Sequence, residues 1–299
     1  MMTDRAALSA PILELPHTSW DFEAPETSEI IDTLEAGNVL FFPNLKFDLT
    51  ETEAALLGPE LVDPKRKNIS FNVEKDQLRG VVDPANEPVI KALLERYYAS
   101  TKALVETLLP NYKGHLIEPV NSLRVHEIAK WQDKNSWRKD DTRLHVDAFP
   151  SRPIHGNRIL RIFNNINPHG VPRSWRVGES FETLAKRVLP GLKPYSPMAS
   201  WIQDKLHITK SRRTHYDHLM LAMHDAMKAD LEYQKNGVQW DVDFFPGATW
   251  VCYADQVPHA AMSGQYMLEQ TYLIDVNGLK NPELAPLKVL ERLTGEALL

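Results

Sequence analysis

A chain of 299 residues is long enough for a sizeable core, in one elaborated domain or two. Its 43% hydrophobic and 25% charged residues are ordinary for a soluble globular protein, and a net charge of -6 leaves no global basic field to draw it to nucleic acid. One cysteine, Cys252, excludes an intrachain disulfide and fits a reducing compartment. No apolar run reaches the roughly 18 residues of a membrane span, and the N-terminal stretch lacks a signal-peptide core. A cytoplasmic protein is expected, with peripheral membrane contact and homo-oligomerisation both left open.

In chain order, residues 32–36 read as a helix that ends at Gly37, followed by a short strand over 38–43 closed by Pro43. Residues 51–62 read as a second short helix. Across 86–109, Val89, Leu93, Leu94, Tyr97, Tyr98 and Leu104 recur near helical spacing, and Pro110 stops the pattern. Residues 116–128 read as extended and 130–143 as a polar loop. Residues 158–166, rich in branched and aromatic side chains, read as a strand. Two helical patterns, 179–189 and 214–235, follow as an insertion, separated by Pro194 and Pro197. Strands are expected at 249–253 and 269–276. The pattern predicts an α+β chain with a double-stranded β-helix (a cupin-type jelly roll) and flanking helices. A mixed, mainly helical region over 1–115 packs on a core over 116–299 that carries the insertion around 179–236, all as one integrated domain.

His145-Val146-Asp147 carries the chemistry. In extended chain, residues i and i+2 share a face, so an imidazole and a carboxylate converge. His259, after Pro258 and between two strands, can supply a third ligand. Two histidines and one carboxylate suit non-haem ferrous iron with open positions for dioxygen. The pattern alone equally fits a hydrogen-bonded loop pair and a turn histidine. Such oxygenases commonly use 2-oxoglutarate, whose far carboxylate needs a buried cation. Residues 262–272 hold no arginine or lysine, so the expected clamp is Arg161, which alternation places with Ile159 and Phe163 on one strand face. Arg124 and Arg158 are reserves, and Trp175 and Gln270 complete the candidate cosubstrate contacts. His215, His218 and His224 lie on one helix without a Glu-x-x-His set, so they read as a solvated face. Cys252 reads as a small core residue.

The segments 144–153, 156–168 and 172–179 resemble Kdo 3-hydroxylases, and the similarity extends over most of the chain. That resemblance implies an Fe(II) and 2-oxoglutarate-dependent dioxygenase of Gram-negative bacteria. It hydroxylates 3-deoxy-D-manno-oct-2-ulosonic acid (Kdo) at carbon 3, giving Ko, on Kdo–lipid A of lipopolysaccharide. It carries the triad over as His145, Asp147 and His259, and sets the protein at the cytoplasmic side of the inner membrane. Arg143, Arg152, Arg158, Arg173 and Arg176 are the candidate contacts to the substrate's carboxylate and phosphates, within a local excess of cations that includes Arg138 and Lys139. Trp131, Trp137 and Trp175 are candidates to stack on sugar. The alternatives are a 2-oxoglutarate-dependent hydroxylase of another small acid or a protein, a non-oxidative metal-dependent cupin enzyme, and a sugar-binding protein without catalysis.

Overall fold

Eleven strands form two sheets in the computed structural model, which describes residues 10–23, 28–131 and 136–299. The strands are β1 (Ile12–Glu14), β2 (Val39–Phe42), β3 (Ile69–Asn72), β4 (Gln77–Arg79), β5 (Leu116–Arg124), β6 (Arg158–Asn165), β7 (Arg173–Gly178), β8 (Gln239–Phe244), β9 (Thr249–Tyr253), β10 (His259–Ser263) and β11 (Met267–Ile274). The larger sheet has the order β1-β2-β9-β6-β11-β5-β3-β4, and the smaller β10-β7-β8. Among the described strands only β1 and β2 pair in parallel. The fold is mixed α+β, as the alternation of strand and helix patterns implies.

Alternation along the central strands decides what each face of the large sheet meets. Leu160 and Ile162 of β6, Val251 and Tyr253 of β9, and Tyr272 and Ile274 of β11 point to one side. There they pack on the C-terminal half of the helix Glu87–Leu108, through Leu104, Val105 and Leu108. Its N-terminal half buries Ile90, Leu93, Leu94 and Tyr97 against Leu123 and Leu268. Each fully buried apolar side chain here contributes about 1.5–3 kcal/mol of transfer free energy, enough to hold a helix that would be marginal alone. On the other side, Phe163, Trp250, Cys252 and Met267 meet Trp175, Val177, Phe244 and Ala261 of the small sheet. Cys252 is thus a core residue, as expected.

The string around His145 is extended but forms only a bridge. His145 N donates to His259 O at 3.0 Å, His259 N to His145 O at 2.9 Å, and Asp147 N to Ala254 O at 2.7 Å. Period-2 alternation still governs it. Leu144 and Val146 enter a cluster with Phe181, Tyr216, Met220, Met223 and Leu290, from the helices Phe181–Val188, His215–Ala229 and Pro286–Thr294. His145 and Asp147 therefore face the opposite way, into the gap between the sheets. Gln234 pins the string: its Oε1 accepts from Leu144 N at 2.7 Å, and its Nε2 donates to Leu144 O at 3.0 Å.

Six strands lie outside those read from sequence: β1, β3, β4, β7, β8 and the strand that begins at His259. So do the helices Pro197–Lys205 and Pro286–Thr294. The first of these starts at the proline that reads as a separator. Proline is well placed in a first turn, where its missing N–H has no partner to lose.

Candidate metal centre

His145 Nε2, Asp147 Oδ1 and His259 Nε2 converge. The two imidazole nitrogens lie 3.6 and 4.0 Å from the carboxylate oxygen, and ligand atoms of the three residues fall within 4.8 Å of one another. Among the described residues this is the cluster of three that could hold a metal ion. Backbone carbonyls set both tautomers. His145 Nδ1 lies 2.7 Å from Arg143 O, and His259 Nδ1 2.8 Å from Val257 O. A carbonyl only accepts, so each Nδ1 carries the proton and each Nε2 presents its lone pair. Burial holds both imidazoles below the ordinary histidine range, His145 further lowered by His259 and Lys228. Neutral imidazole is the form that ligates.

Local packing delivers His259. Gly178 N donates to Pro258 O at 2.8 Å. A Cβ at Gly178 would stand 2.9 Å from Pro258 Cβ, so glycine permits this close approach. Trp175 then stacks on the His259 ring, with centroids 5.0 Å apart and planes at 19°.

Two arginines flank the triad, Arg161 partly buried and Arg173 buried. Arg161 lies 2.9 Å from Asp147 Oδ2 through Nη2 and donates to Glu269 Oε1 at 3.0 Å through Nη1. Those two carboxylates raise its pKa against the effect of burial. Glu269 also accepts from Arg124 Nε at 3.0 Å and lies 2.7 Å from its Nη2. Asp147 is thereby divided, with Oδ2 held by Arg161 and Oδ1 left toward the histidines. Arg173 differs. It is buried, and its Nε and Nη1 have no hydrogen-bond partner among the described residues. Burial, with the charge of Arg124 nearby, pushes its guanidinium down to about 9. A buried guanidinium with orphaned donors is costly unless an anion joins it.

These groups line one cavity of about 160 Å³, walled by the triad, Arg161, Arg173, Arg124, Glu269, Trp175 and Phe163. The Nε1 of Trp175 is buried there without a partner. The cavity opens through shared walls at Lys67, Asp141, His145 and Asp147 into a vestibule of about 730 Å³. Lys65, Lys67, Lys130, Arg138, Lys139 and Lys228 line this mouth. Lys67 pairs with Asp141. Burial raises the Asp141 carboxyl, but Lys67 and Arg124 hold it below the usual range.

A family model described as 3-deoxy-D-manno-oct-2-ulosonic acid (Kdo) hydroxylase matches residues 17–297. The chain belongs to the Kdo hydroxylase family. A solved apo structure of the Kdo hydroxylase KdoO, a non-heme Fe(II) α-ketoglutarate-dependent dioxygenase, is 45% identical, with a TM-score of 0.92 over 96% of this chain and 97% of that one. KdoO with succinate and Fe(III) is 44% identical with a TM-score of 0.91, again over 96% and 97%. KdoO with α-ketoglutarate and Fe(III) is 44% identical with a TM-score of 0.92, over 97% of each chain. No curated protein matches the chain. A dioxygenase family and a His-Asp-His cluster with two buried histidines thus meet in one chain.

The remaining site expectations divide sharply within this family fold. Arg161 lies partly buried on the Ile159–Phe163 face, where alternation puts it, but Asp147 and Glu269 already engage both its terminal nitrogens. Gln270 is corrected: it sits beside Ile162 and Asn121 in register, on the helix side of the sheet, and donates to Val120 O and Thr271 O. Arg158 is also corrected. It is fully buried away from the cavity, with Asp255 at 2.7 Å, Gln256 at 2.6 Å and the Tyr253 ring beneath it. Arg143 donates to Lys228 O, Arg152 pairs with Glu118, and Arg176 lies 3.6 Å from Asp241; none of the three lines the cavity or vestibule. Of the five proposed substrate arginines only Arg173 reaches the site. Arg138 covers the face of Trp137, and the side chain of Trp131 lies outside the described residues. His215 and His218 are half-buried on Tyr195, but His224 is buried edge-on to His145 at the vestibule, with centroids 5.4 Å apart. Glu269, Lys67, Asp141 and Lys228 carried no recognisable motif. The signal for Glu269 was Arg161 in an apolar strand, which needed an anion from some strand beside it.

Proposed function

We propose that this protein hydroxylates Kdo at carbon 3, giving Ko, on the Kdo–lipid A part of lipopolysaccharide. The observation that carries the reading is the convergence of His145 Nε2, Asp147 Oδ1 and His259 Nε2 in a family-matching chain. The donor set fits ferrous iron: two neutral imidazoles with fixed tautomers and one oxygen of a carboxylate whose other oxygen is held. When bound, iron with 2-oxoglutarate and dioxygen supplies the oxidising chemistry, with succinate and carbon dioxide as by-products.

The chain's own residues orient and exclude water. Arg161 keeps Asp147 turned so that one oxygen faces the histidines. Arg173, with its orphaned Nε and Nη1, takes the far carboxylate of 2-oxoglutarate in place of Arg161, and the Trp175 indole N–H donates to the same ligand. Phe163 and Trp175 keep the cavity dry. The lysine-rich vestibule suits a substrate bearing a carboxylate and phosphates. We read the two facing sheets as the double-stranded β-helix, with residues 1–115 packed on it in one integrated domain. No helix among the described residues is long and apolar enough to cross a membrane; access to a glycolipid is then peripheral, from the cytoplasmic side.

The test is mass spectrometry of Kdo–lipid A incubated with the protein, iron, 2-oxoglutarate and air. A gain of one oxygen that requires all three is expected. Succinate release without oxygen entering Kdo would move the substrate to another acid.

A further inference from the structure

The helix Pro197–Lys205 inverts the usual arrangement of a surface helix. Its inward face is polar: Ser200 is buried and its hydroxyl donates to Arg213 O at 2.7 Å, while Gln203 Oε1 accepts from Arg213 Nη1 at 2.9 Å. Its outward face is apolar. Met198 is 72% exposed, Trp201 50% and Ile202 42%, and Leu206 at 65% and Ile208 at 59% continue the face past the helix end. Positions 198, 201 and 202 fall on one stripe of a helix. Five of the twelve exposed large hydrophobics among the described residues lie within these eleven positions. That concentration makes a patch, which marks a binding surface rather than scattered exposure.

Charge surrounds the patch. Residues 193–213 carry Lys193, Lys205, Lys210, Arg212 and Arg213 against one carboxylate, Asp204, in a chain of net charge -6. The segment is also tied to the mouth. Lys210 N donates to Ser151 O at 2.8 Å, and Arg213 Nη2 to Pro150 O. Pro150 lines the vestibule with Ala148 and Phe149, directly after the metal string. A cleft of about 470 Å³ beside the helix, lined by Lys193, Tyr195, Arg213 and His218, shares Arg138 with the vestibule.

We propose that residues 197–208 dock in the interface of an anionic phospholipid bilayer. The five apolar side chains enter the boundary between headgroups and acyl chains, and the flanking cations meet lipid phosphates. The vestibule then opens at the membrane surface, within reach of a headgroup still anchored by its acyl chains. For its purpose the proposal rests on the glycolipid reading above; its binding test does not. Charge favours a bilayer over a second copy of the chain. A two-fold contact through this patch would set each cationic rim against its own equivalent, whereas anionic lipid neutralises both the rim and the apolar face.

The experiment is sedimentation of the full chain with phosphatidylethanolamine–phosphatidylglycerol vesicles and, in parallel, phosphatidylcholine vesicles. The variants are Trp201→Ser/Ile202→Ser/Leu206→Ser and Lys205→Glu/Lys210→Glu. The unaltered protein should partition to the anionic vesicles, the apolar variant should lose about tenfold or more of that partitioning, and the charge variant should lose the preference for anionic lipid. Both variants should keep turnover on a deacylated, soluble Kdo saccharide and lose it on vesicle-held glycolipid. Equal sedimentation of all three proteins would overturn the proposal. So would a dimer in sedimentation velocity that the apolar variant converts to monomer. Lipid-dependent binding with no turnover on either substrate would support the docking surface and overturn the hydroxylase reading.

Discussion

Arg161, partly buried, and Arg173, buried, stand against the same cavity, yet their surroundings assign them opposite work. Arg161 meets two carboxylates of the chain, Asp147 at 2.9 Å and Glu269 at 3.0 Å, so its charge is already balanced. Removing it frees Asp147 to rotate and leaves Glu269 with less compensation. Arg161→Ala should therefore weaken iron affinity by about 10–100-fold, the usual effect of losing a partner of a metal ligand; unchanged iron affinity with a raised KM for 2-oxoglutarate would return the clamp to Arg161. Among the described residues no group hydrogen-bonds to Arg173 Nε or Nη1. Arg173→Ala should raise the KM for 2-oxoglutarate by about 10–100-fold, the equivalent of one charge-assisted hydrogen-bond pair at about 1.5–3 kcal/mol, and leave iron affinity nearly intact. A titration of iron in each variant beside the KM separates the two roles. In the sequence, the face that Arg161 takes was legible from strand alternation. Its partner was not, because alternation names a face and not which of several anions occupies it.

At the scale of elements, the strings that could be read were those whose side chains settle their own environment. β6 is buried along almost its whole length, β9 is buried at all five positions, and the helix Glu87–Leu108 repeats its apolar residues at helical spacing between two prolines. β8 carries Asp241 and Asp243 and is half-exposed, so only pairing with β7 makes it a strand. The metal string sits between these cases: one bridge, one side-chain clamp from Gln234, and alternation imposed by Leu144 and Val146. The return from β9 to His259 depends on Arg158, which donates to Asp255 at 2.7 Å and to Gln256 at 2.6 Å with all three residues buried. Cationic residues near the metal string read as substrate contacts when only sequence distance is known; burial shows Arg158 to be a pillar of the loop instead. Arg158→Met leaves Asp255 in the core without its cationic partner, the Ile159 N–H still donating to it at 3.1 Å, a loss of about 3–5 kcal/mol. Urea denaturation should show a lower midpoint of that size, and a shift under about 1 kcal/mol would mean that Asp255 is already neutral or hydrated.

Across the whole molecule the unusual feature is where histidine is buried. His126, His145, His224 and His259 are all held below the ordinary value of 6.5, in each case first by burial; His145 and His224 are pushed further by Lys228. In the unfolded chain the same side chains protonate near 6.5. Between that pH and their lower folded values the unfolded state binds more protons, so stability rises with pH across the window and is independent of these groups above it. Each fully buried imidazole, His145 and His259, adds a slope of at most about 1.4 kcal/mol per pH unit. Asp255, whose carboxyl burial raises, acts in the opposite sense, its contribution falling as the pH rises through its folded value. The metal-free protein should therefore melt at a constant temperature above about pH 7.5 and at falling temperatures as the pH drops from there toward 5. Iron should extend the plateau downward, since it binds only the neutral imidazoles and opposes their protonation. His224→Gln removes a titrating group that contacts the triad without ligating it, and should make the metal-free decline shallower while leaving the plateau in place. A melting temperature flat to pH 5 in the metal-free chain would show that the triad imidazoles are hydrated and protonate freely, contrary to a dry site between the two sheets.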